Sequence, residues 1–369
     1  MKIVVLGGTG DMGAAAVRDL LQNTAVQQVT VAARNTAAAE KLVATLGDRR
    51  AVVQKVEATS PAALVRVMQG HDVAAGALGP FYHFEKPLVE AALTAGVDYV
   101  SICDDHDAAE AVLALDQLAT AKGRKILTGL GWTPGITNLL ARKGYNELDN
   151  VEKIQVYWSG SAGDSTGLAV ILHTLHIFTG EATSFQEGRS VMVQAGSGKE
   201  TVTFPAPLGK ITVFHLGHPE PVTLPRYLPG VKEITLKGGL AENYLHSLAK
   251  ICVALGLTAT ASRRQRLGLL MKRMLPLFPA APGRNLSGIR VDITGRRSGH
   301  KIRISYTAAD RMRRLTGIPL SIGASMLARG KIKRFGVFAP EAPDAVNPAE
   351  FIQELARRNI SIERRETEL

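Results

Sequence analysis

Ile3-Val4-Val5-Leu6-Gly7-Gly8-Thr9-Gly10-Asp11-Met12-Gly13 decides the fold. An apolar run passes into glycines 8, 10 and 13 in the spacing G-x-G-x-x-G, a helical pattern continues to about Gln22, and Val29 to Ala33 form a second apolar run before Arg34 and Asn35. The motif alone is weak, but here it follows a strand and opens a helix, which is the context it requires. Glycines let the backbone turn tightly and approach a pyrophosphate, and amides at the start of the helix face the anion. Gly7, Gly8, Thr9, Gly10, Asp11, Met12 and Gly13 are therefore the expected cradle of a dinucleotide.

Working outward, the second strand ends in the residues that select the coenzyme. An NAD site places an acidic residue about twenty positions beyond the last glycine, on the ribose hydroxyls. Arg34 stands there instead, with Asn35 beside it. A carboxylate would repel a 2'-phosphate and a guanidinium would bond it, so NADP(H) is expected in preference to NAD(H). The competing reading is an arginine that ends a strand in solvent.

Beyond Arg34 helix and strand alternate: strands at 51–56, 72–77, 97–102 and 125–130, and helices near 37–46, 61–69, 84–95 and 108–122. Six strands predict a doubly wound parallel Rossmann sheet of order 3-2-1-4-5-6, whose ligands sit at the carboxyl ends of the strands. Glu57 and Ala58 follow the third strand, on the adenine side, with Glu57 equally readable as a solvated loop carboxylate. Ala77, Leu78 and Gly79 follow the fourth, with small residues where a backbone passes close to a coenzyme.

The fifth strand ends in Cys103-Asp104-Asp105-His106, a place for proton transfer or amine recognition, although Asp105 or Asp107 also suits the cap of the next helix. The sixth ends in Gly129-Leu130-Gly131-Trp132, followed by Thr133 and Pro134, a good cap and first helical residue, with Asn138 just beyond. Asp104 and Asp105 are the candidate catalytic carboxyls of these two ends. Cys103, Trp132 and Asn138 are the candidate substrate contacts.

From about residue 151 the pattern changes to a second α+β domain on a largely antiparallel sheet. Strands are expected at 152–158, 190–194, 200–204 and 210–216, with a later hairpin around Arg296-Arg297-Ser298-Gly299. Helices are expected near 168–178, 242–255, 263–275 and 348–358. His215, His218 and Glu220 are set aside as metal ligands, because Pro219 and Pro221 break the segment and no third ligand has diagnostic spacing; no metal is expected. Residues 361–364 are expected to extend a sheet edge, with the tail back on the nucleotide domain.

Composition narrows the class. A chain of 369 residues that is 46% apolar can bury one large or two ordinary cores, with two domains the default. The opening strand leaves no room for a signal peptide, and no apolar run reaches membrane-spanning length, so a soluble cytoplasmic protein is expected. Its two cysteines, Cys103 and Cys252, suggest neither a disulfide framework nor a zinc site. Residues 1–150 carry 14 Lys or Arg against 16 Asp or Glu, a net of −2, whereas residues 263–334 carry 18 against only Asp292 and Asp310, a net of +16. That block suits peripheral contact with an anionic surface, or a solvated face beside a dimer interface; no nucleic-acid motif accompanies it.

Gly79-Pro80-Phe81, Gly96-Val97-Asp98-Tyr99-Val100, the run from Gly131 to Asn138 and Gly317-Ile318-Pro319 together resemble the saccharopine dehydrogenase family, of the saccharopine reductase and lysine 6-dehydrogenase type. The likeness spans nearly the whole chain and is strongest over 1–145 and 316–355. It implies a Rossmann domain of residues 1–133 plus about 310–369, a substrate-binding and dimerisation domain of 134–309, and NAD(P)-dependent oxidation or reduction at a C–N bond of an amino acid. Asp116, in Leu115-Asp116-Gln117-Leu118, matches a segment that carries an aspartate in the saccharopine reductases, and so joins the catalytic candidates. A lysine of the preceding helix in those enzymes has no match, and Glu90 falls near it. The resemblance leaves two other readings open: a non-catalytic NADP(H)-binding sensor or scaffold, and an enoyl reductase on a lipid-like chain.

Overall fold

The computed structural model describes residues 1–165, 167–274 and 285–369. They fall into two units, Met1–Ile136 with Arg313–Asn347, and Thr137–Met312 with Pro348–Leu369.

In the first unit, strand β1 (Lys2–Leu6) is buried from Ile3 to Leu6, as the central strand of a two-faced sheet must be. With strands along the whole chain numbered in order, it lies between β2 (Gln28–Ala33) and β4 (Val73–Gly76). Beyond them lie β3 (Ala51–Lys55) on one side and β5 (Asp98–Ser101) and β6 (Lys125–Leu127) on the other. The six-strand order is the expected one, and β15 (Gly336–Phe338) adds a seventh parallel strand beside β6. Helices Asp11–Asn23, Thr36–Leu46, Pro61–Met68 and Phe81–Ala95 link the first five strands, and Leu64, Met68, Leu88, Val89, Ala92 and Tyr99 pack one core.

One expected helix is two. The stretch 108–122 divides into His106–Leu113 and Asp116–Ala121, because the Leu115 amide tightens onto Val112 O and Leu115 leaves helical geometry at ψ 6°. The helix Met312–Ala328 carries the small residues expected of close packing. A Cβ on Gly317 would stand 2.4 Å from Met12 O, and the Ser321 hydroxyl donates to the Asp19 carboxylate at 2.6 Å.

Among the described residues the second unit is built on nine strands. They are β7 (Asn150–Gly160), β8 (Glu181–Gln186), β9 (Arg189–Gln194), β10 (Glu200–Thr203), β11 (Lys210–His215), β12 (Glu233–Leu240), β13 (Ser287–Arg297), β14 (His300–Asp310) and β16 (Glu363–Glu368). The order is β10-β11-β12-β7-β13-β14-β16, with the β8–β9 hairpin joined to β12. Among the described residues of this sheet only β7 and β12 run parallel, paired from Lys153 with Glu233 to Gly160 with Leu240. The expected hairpin turns at Ser298 and Gly299, both with positive φ (53° and 83°), the geometry of a two-residue primed turn.

Three elements of this unit were not legible beforehand: β8, β12 and the helix Glu220–Tyr227. The prolines read as breaking that segment instead start its helix, since Pro221 occupies the first turn, where a missing N–H is harmless.

The tail is a further correction. Residues 348–369, expected on the nucleotide domain, belong to the second unit, where β16 pairs antiparallel with β14 from Thr307–Glu363 to Ile302–Glu368. Arg364 bonds both Glu147 and Glu366, and Arg297 bonds Glu366. The basic block is thus partly neutralised within the second unit: Arg290 lies 2.9 Å from Asp292, and Arg296 and Lys301 lie 3.6 and 3.4 Å from Glu152. Residues 275–284 of the block lie outside the described residues. Among the described residues no helix is long and apolar enough to cross a membrane.

Candidate active site

In the first unit, the turn after β1 is one that only glycine fits. Gly7 adopts φ +79°, and a Cβ there would stand 2.6 Å from Ala77 O; a Cβ on Gly13 would stand 2.3 Å from Gly7 O. The Gly10 amide donates to Gly7 O at 3.0 Å, which folds the turn back onto the helix start. Gly10 is the N-cap of helix Asp11–Asn23 and brings no capping side chain. Thr9, Gly10 and Asp11 are exposed above a floor formed by buried Gly8 and Gly13. Backbone thinned by glycine at the positive end of a helix fits a pyrophosphate.

The rim of this cradle lies at the neighbouring strand ends. Arg34 is exposed at the end of β2, as a phosphate partner should be. Asn35 caps helix Thr36–Leu46, accepting from Ala38 N at 3.3 Å, so its side chain is held by the fold. Glu57 is exposed and accepts from the Thr59 hydroxyl at 3.1 Å, while Ala58 is half-buried beside it. Ala77, Leu78 and Gly79 are half-buried, and the close pass of Ala77 over Gly7 brings their loop to the cradle.

The ends of β5 and β6 hold the proposed chemistry. Asp105 is fully buried, and its carboxylate accepts from Tyr82 N at 2.9 Å, tying the 103–105 segment to the start of helix Phe81–Ala95. Asp104 is half-buried. Cys103 is fully buried with Sγ 3.7 Å from Asp105 O, and burial, reinforced by Glu85, Asp105 and Asp104, pushes its thiol well above the usual range. Trp132 is 7% exposed.

The helix expected to begin at Pro134 begins at Ile136. The residues between form a closed turn, with Gly131 N donating to Pro134 O at 2.8 Å and Gly135 at φ +126°. Thr133 is therefore not its cap.

Asp116 lies away from these strand ends, and Asn138 falls in the second unit. Asp116 accepts from Val337 N at 2.8 Å, beside the first residue of β15, which is the edge of the sheet opposite the strands' carboxyl ends. It fastens β15 to helix Asp116–Ala121 and is removed from the catalytic set. Asn138 belongs to the second unit, where its side-chain amide donates to the Thr223 hydroxyl at 3.2 Å. The neighbouring Thr137 hydroxyl donates to Glu220 at 2.9 Å, so both residues anchor helix Glu220–Tyr227. That helix leads from His218, whose ring lies 5.5 Å from Trp158 and 5.2 Å from His173, with Nδ1 3.7 Å from Glu220. His215 stands apart on β11, its ring against Gly198.

Sequence reasoning missed Glu85. It is fully buried, and its carboxylate accepts from Tyr99 Oη at 2.9 Å, Thr128 Oγ1 at 3.0 Å and the Ser101 hydroxyl. Burial raises its pKa from 4.5 to about 7 against the pull of those three donors. The signal was present: Glu85 falls at the spacing of Phe81, Leu88, Val89 and Ala92, a carboxylate on the apolar face of its helix.

Comparison with known proteins agrees with this geometry. Residues 3–127 match the family model of the saccharopine dehydrogenase NADP binding domain. Carboxyaminopropylagmatine dehydrogenase from Synechocystis sp. is 21% identical over 392 aligned residues, covering 98% of this chain and 96% of that protein. Saccharopine dehydrogenase (L-Glu forming) from Saccharomyces cerevisiae shares the fold at a TM-score of 0.71, with 15% identity and 99% of each chain covered. Residues 3–127 are thus an NADP binding domain of the saccharopine dehydrogenase type, in a chain that has the saccharopine dehydrogenase fold over its whole length, which supports an oxidoreductase.

Proposed function

We propose that this chain uses NADP(H), in preference to NAD(H), to reduce an imine to a secondary amine or to oxidise the amine, on a substrate of amino-acid or polyamine type. The observation that carries the coenzyme reading is the glycine cradle of Gly7 and Gly13 with Arg34, in place of an acid, at the end of β2. The C–N bond rests on the relatives' names, a carboxyaminopropylagmatine dehydrogenase and a saccharopine dehydrogenase that forms L-Glu. Bound NADPH would supply hydride to the imine carbon. The chain's share is to hold the coenzyme, exclude water, and deliver one proton to the nitrogen, a role we assign to Asp104 or Asp105 at the end of β5.

Fluorescence titration with NADPH and NADH, followed by turnover on imines formed from amino acids and amines, tests this. Binding of NADPH at least tenfold tighter than NADH, with NADPH consumed only when both imine precursors are present, supports it. Equal affinity for the two coenzymes overturns the preference, and consumption of an enoyl substrate instead of imines overturns the reaction. Asp105→Asn should lower kcat by about 10² or more if it moves the proton.

A further inference from the structure

Glu85 closes a ring of bonds around the 101–105 segment. Its carboxylate takes the Ser101 hydroxyl, and Ser101 Oγ in turn accepts from Cys103 N at 3.4 Å. Two residues on, Asp105 accepts from Tyr82 N at 2.9 Å, and Tyr82 lies one helical turn before Glu85 on the same helix. The ring therefore runs from Glu85 through Ser101, Cys103 and Asp105 back to Tyr82 and along the helix to Glu85. Thr128 and Tyr99 join the same carboxylate, so the ends of β5 and β6 and the middle of β5 share one acceptor. Gly76 makes room for this, since a Cβ there would stand 2.1 Å from the Tyr99 hydroxyl.

We propose that Glu85 is a positioning residue of the active site, fixing through Ser101 and Cys103 where the Asp105 carboxyl stands and so governing the proton-transfer step rather than coenzyme binding. This rests on the preceding assignment of the proton to Asp104 or Asp105. A carboxylate that accepts three hydroxyls leaves Ser101 with a lone pair for Cys103 N; a protonated Glu85 must donate, and one of the three hydroxyls must turn. The titratable groups that face Glu85 are Tyr99 on β5, Cys103, and Asp105, whose charge opposes its ionisation. The state of Glu85 is thus transmitted to Asp105 both by charge and by the bond path.

Three variants test the proposal in the full-length protein. Ser101→Ala cuts the path and leaves Glu85 in place. Glu85→Gln keeps one acceptor oxygen, replaces the other by an N–H donor, and removes the charge. Glu85→Ala removes both oxygens and the charge. We expect Ser101→Ala and Glu85→Ala to lower kcat about tenfold or more, with the NADPH dissociation constant within about twofold of wild type. Glu85→Gln should recover most of kcat relative to Glu85→Ala, and its kcat–pH profile should lack the inflection near neutrality expected of wild type.

Hydrogen exchange supplies a readout independent of turnover: the amides of Tyr82 and Cys103 should exchange faster in Ser101→Ala, and those of residues 2–20 should not. If Glu85→Ala fails to fold, Ser101→Ala and Glu85→Gln carry the test. A kcat within twofold of wild type in Ser101→Ala, an unchanged pH profile in Glu85→Gln, or unaltered exchange at Cys103 overturns the proposal. Faster exchange at Cys103 in a protein that reduces no imine overturns the reaction proposed above while leaving the bond path standing.

Discussion

Arg34 and Glu85 show how differently single residues announce themselves. The place of Arg34 at the end of β2 was legible because it is found by counting from a glycine motif, and the role proposed for it depends on charge alone. Arg34→Ala should weaken NADPH by roughly tenfold or more and leave NADH almost unaffected, as expected for one charge-assisted bond of about 1.5–3 kcal/mol; titration with both coenzymes checks this. Glu85 escaped because its neighbours in space come from two strands and the following loop, which sequence spacing does not bring together. Its titration has a measurable sign. The folded state raises its pKa from 4.5 to about 7, so between those values the native protein holds a proton that the unfolded chain has released. Stability from this group is therefore full below about pH 4.5 and falls as pH rises through about 7, by roughly 3 kcal/mol at 1.36 kcal/mol per unit. Glu85→Gln should flatten that slope, seen as converging denaturation midpoints at pH 5 and pH 8.

At the scale of elements, local chemistry decided what could be read. The β13–β14 hairpin was visible because Ser298-Gly299 supplies the two positive φ values that its turn needs, and the alternating β strands and helices of the first unit were visible from their period. β8 and β12 carried no comparable mark, and prolines 219 and 221 pointed the wrong way until the helix they begin was seen. Helix Met312–Ala328 was read for its small residues but not for what they meet. Gly317 lies against Met12 O in the helix that begins in the coenzyme cradle, so Gly317→Leu forces the two helices apart. We expect a loss of about 1–3 kcal/mol in stability together with weaker NADPH binding, measured by thermal melting and titration.

In the second unit, Leu240 N donates to His246 Nε2 at 2.6 Å, which requires a neutral ring. Burial, helped by Lys250, lowers the pKa of His246 from 6.5 to about 4. Its contribution is accordingly present above about pH 6.5 and lost as pH falls toward 4, and His246→Asn should remove that acid sensitivity from the second unit's melting.

On the scale of the whole molecule, the chain returns to its first unit and then leaves again. Residues 313–347 complete the parallel sheet with β15 and pack Gly317 and Ser321 on the first helix, whereas residues 348–369 finish the second unit's sheet. The sequence reading placed the whole tail with the nucleotide domain, since an amphipathic helix and a short charged strand name no partner by themselves. What settles it is the edge of β14, which offers a row of backbone groups that β16 takes up, with Arg364 bonding Glu366 along β16 and Arg297 of β13 reaching the same Glu366. Two truncations separate these roles. A chain ending at Asn347 keeps every element of the coenzyme-binding unit, so it should bind NADPH within about threefold of the full-length protein, while the bared edge of β14 lowers the melting temperature and promotes association. A chain ending at Met312 loses β15, the contact with Met12 and the Ser321–Asp19 bond, and should bind no NADPH. Were the Asn347 truncation to lose the coenzyme as completely as the Met312 truncation, the tail would be serving the nucleotide site after all, and the division drawn at Asn347 would be wrong.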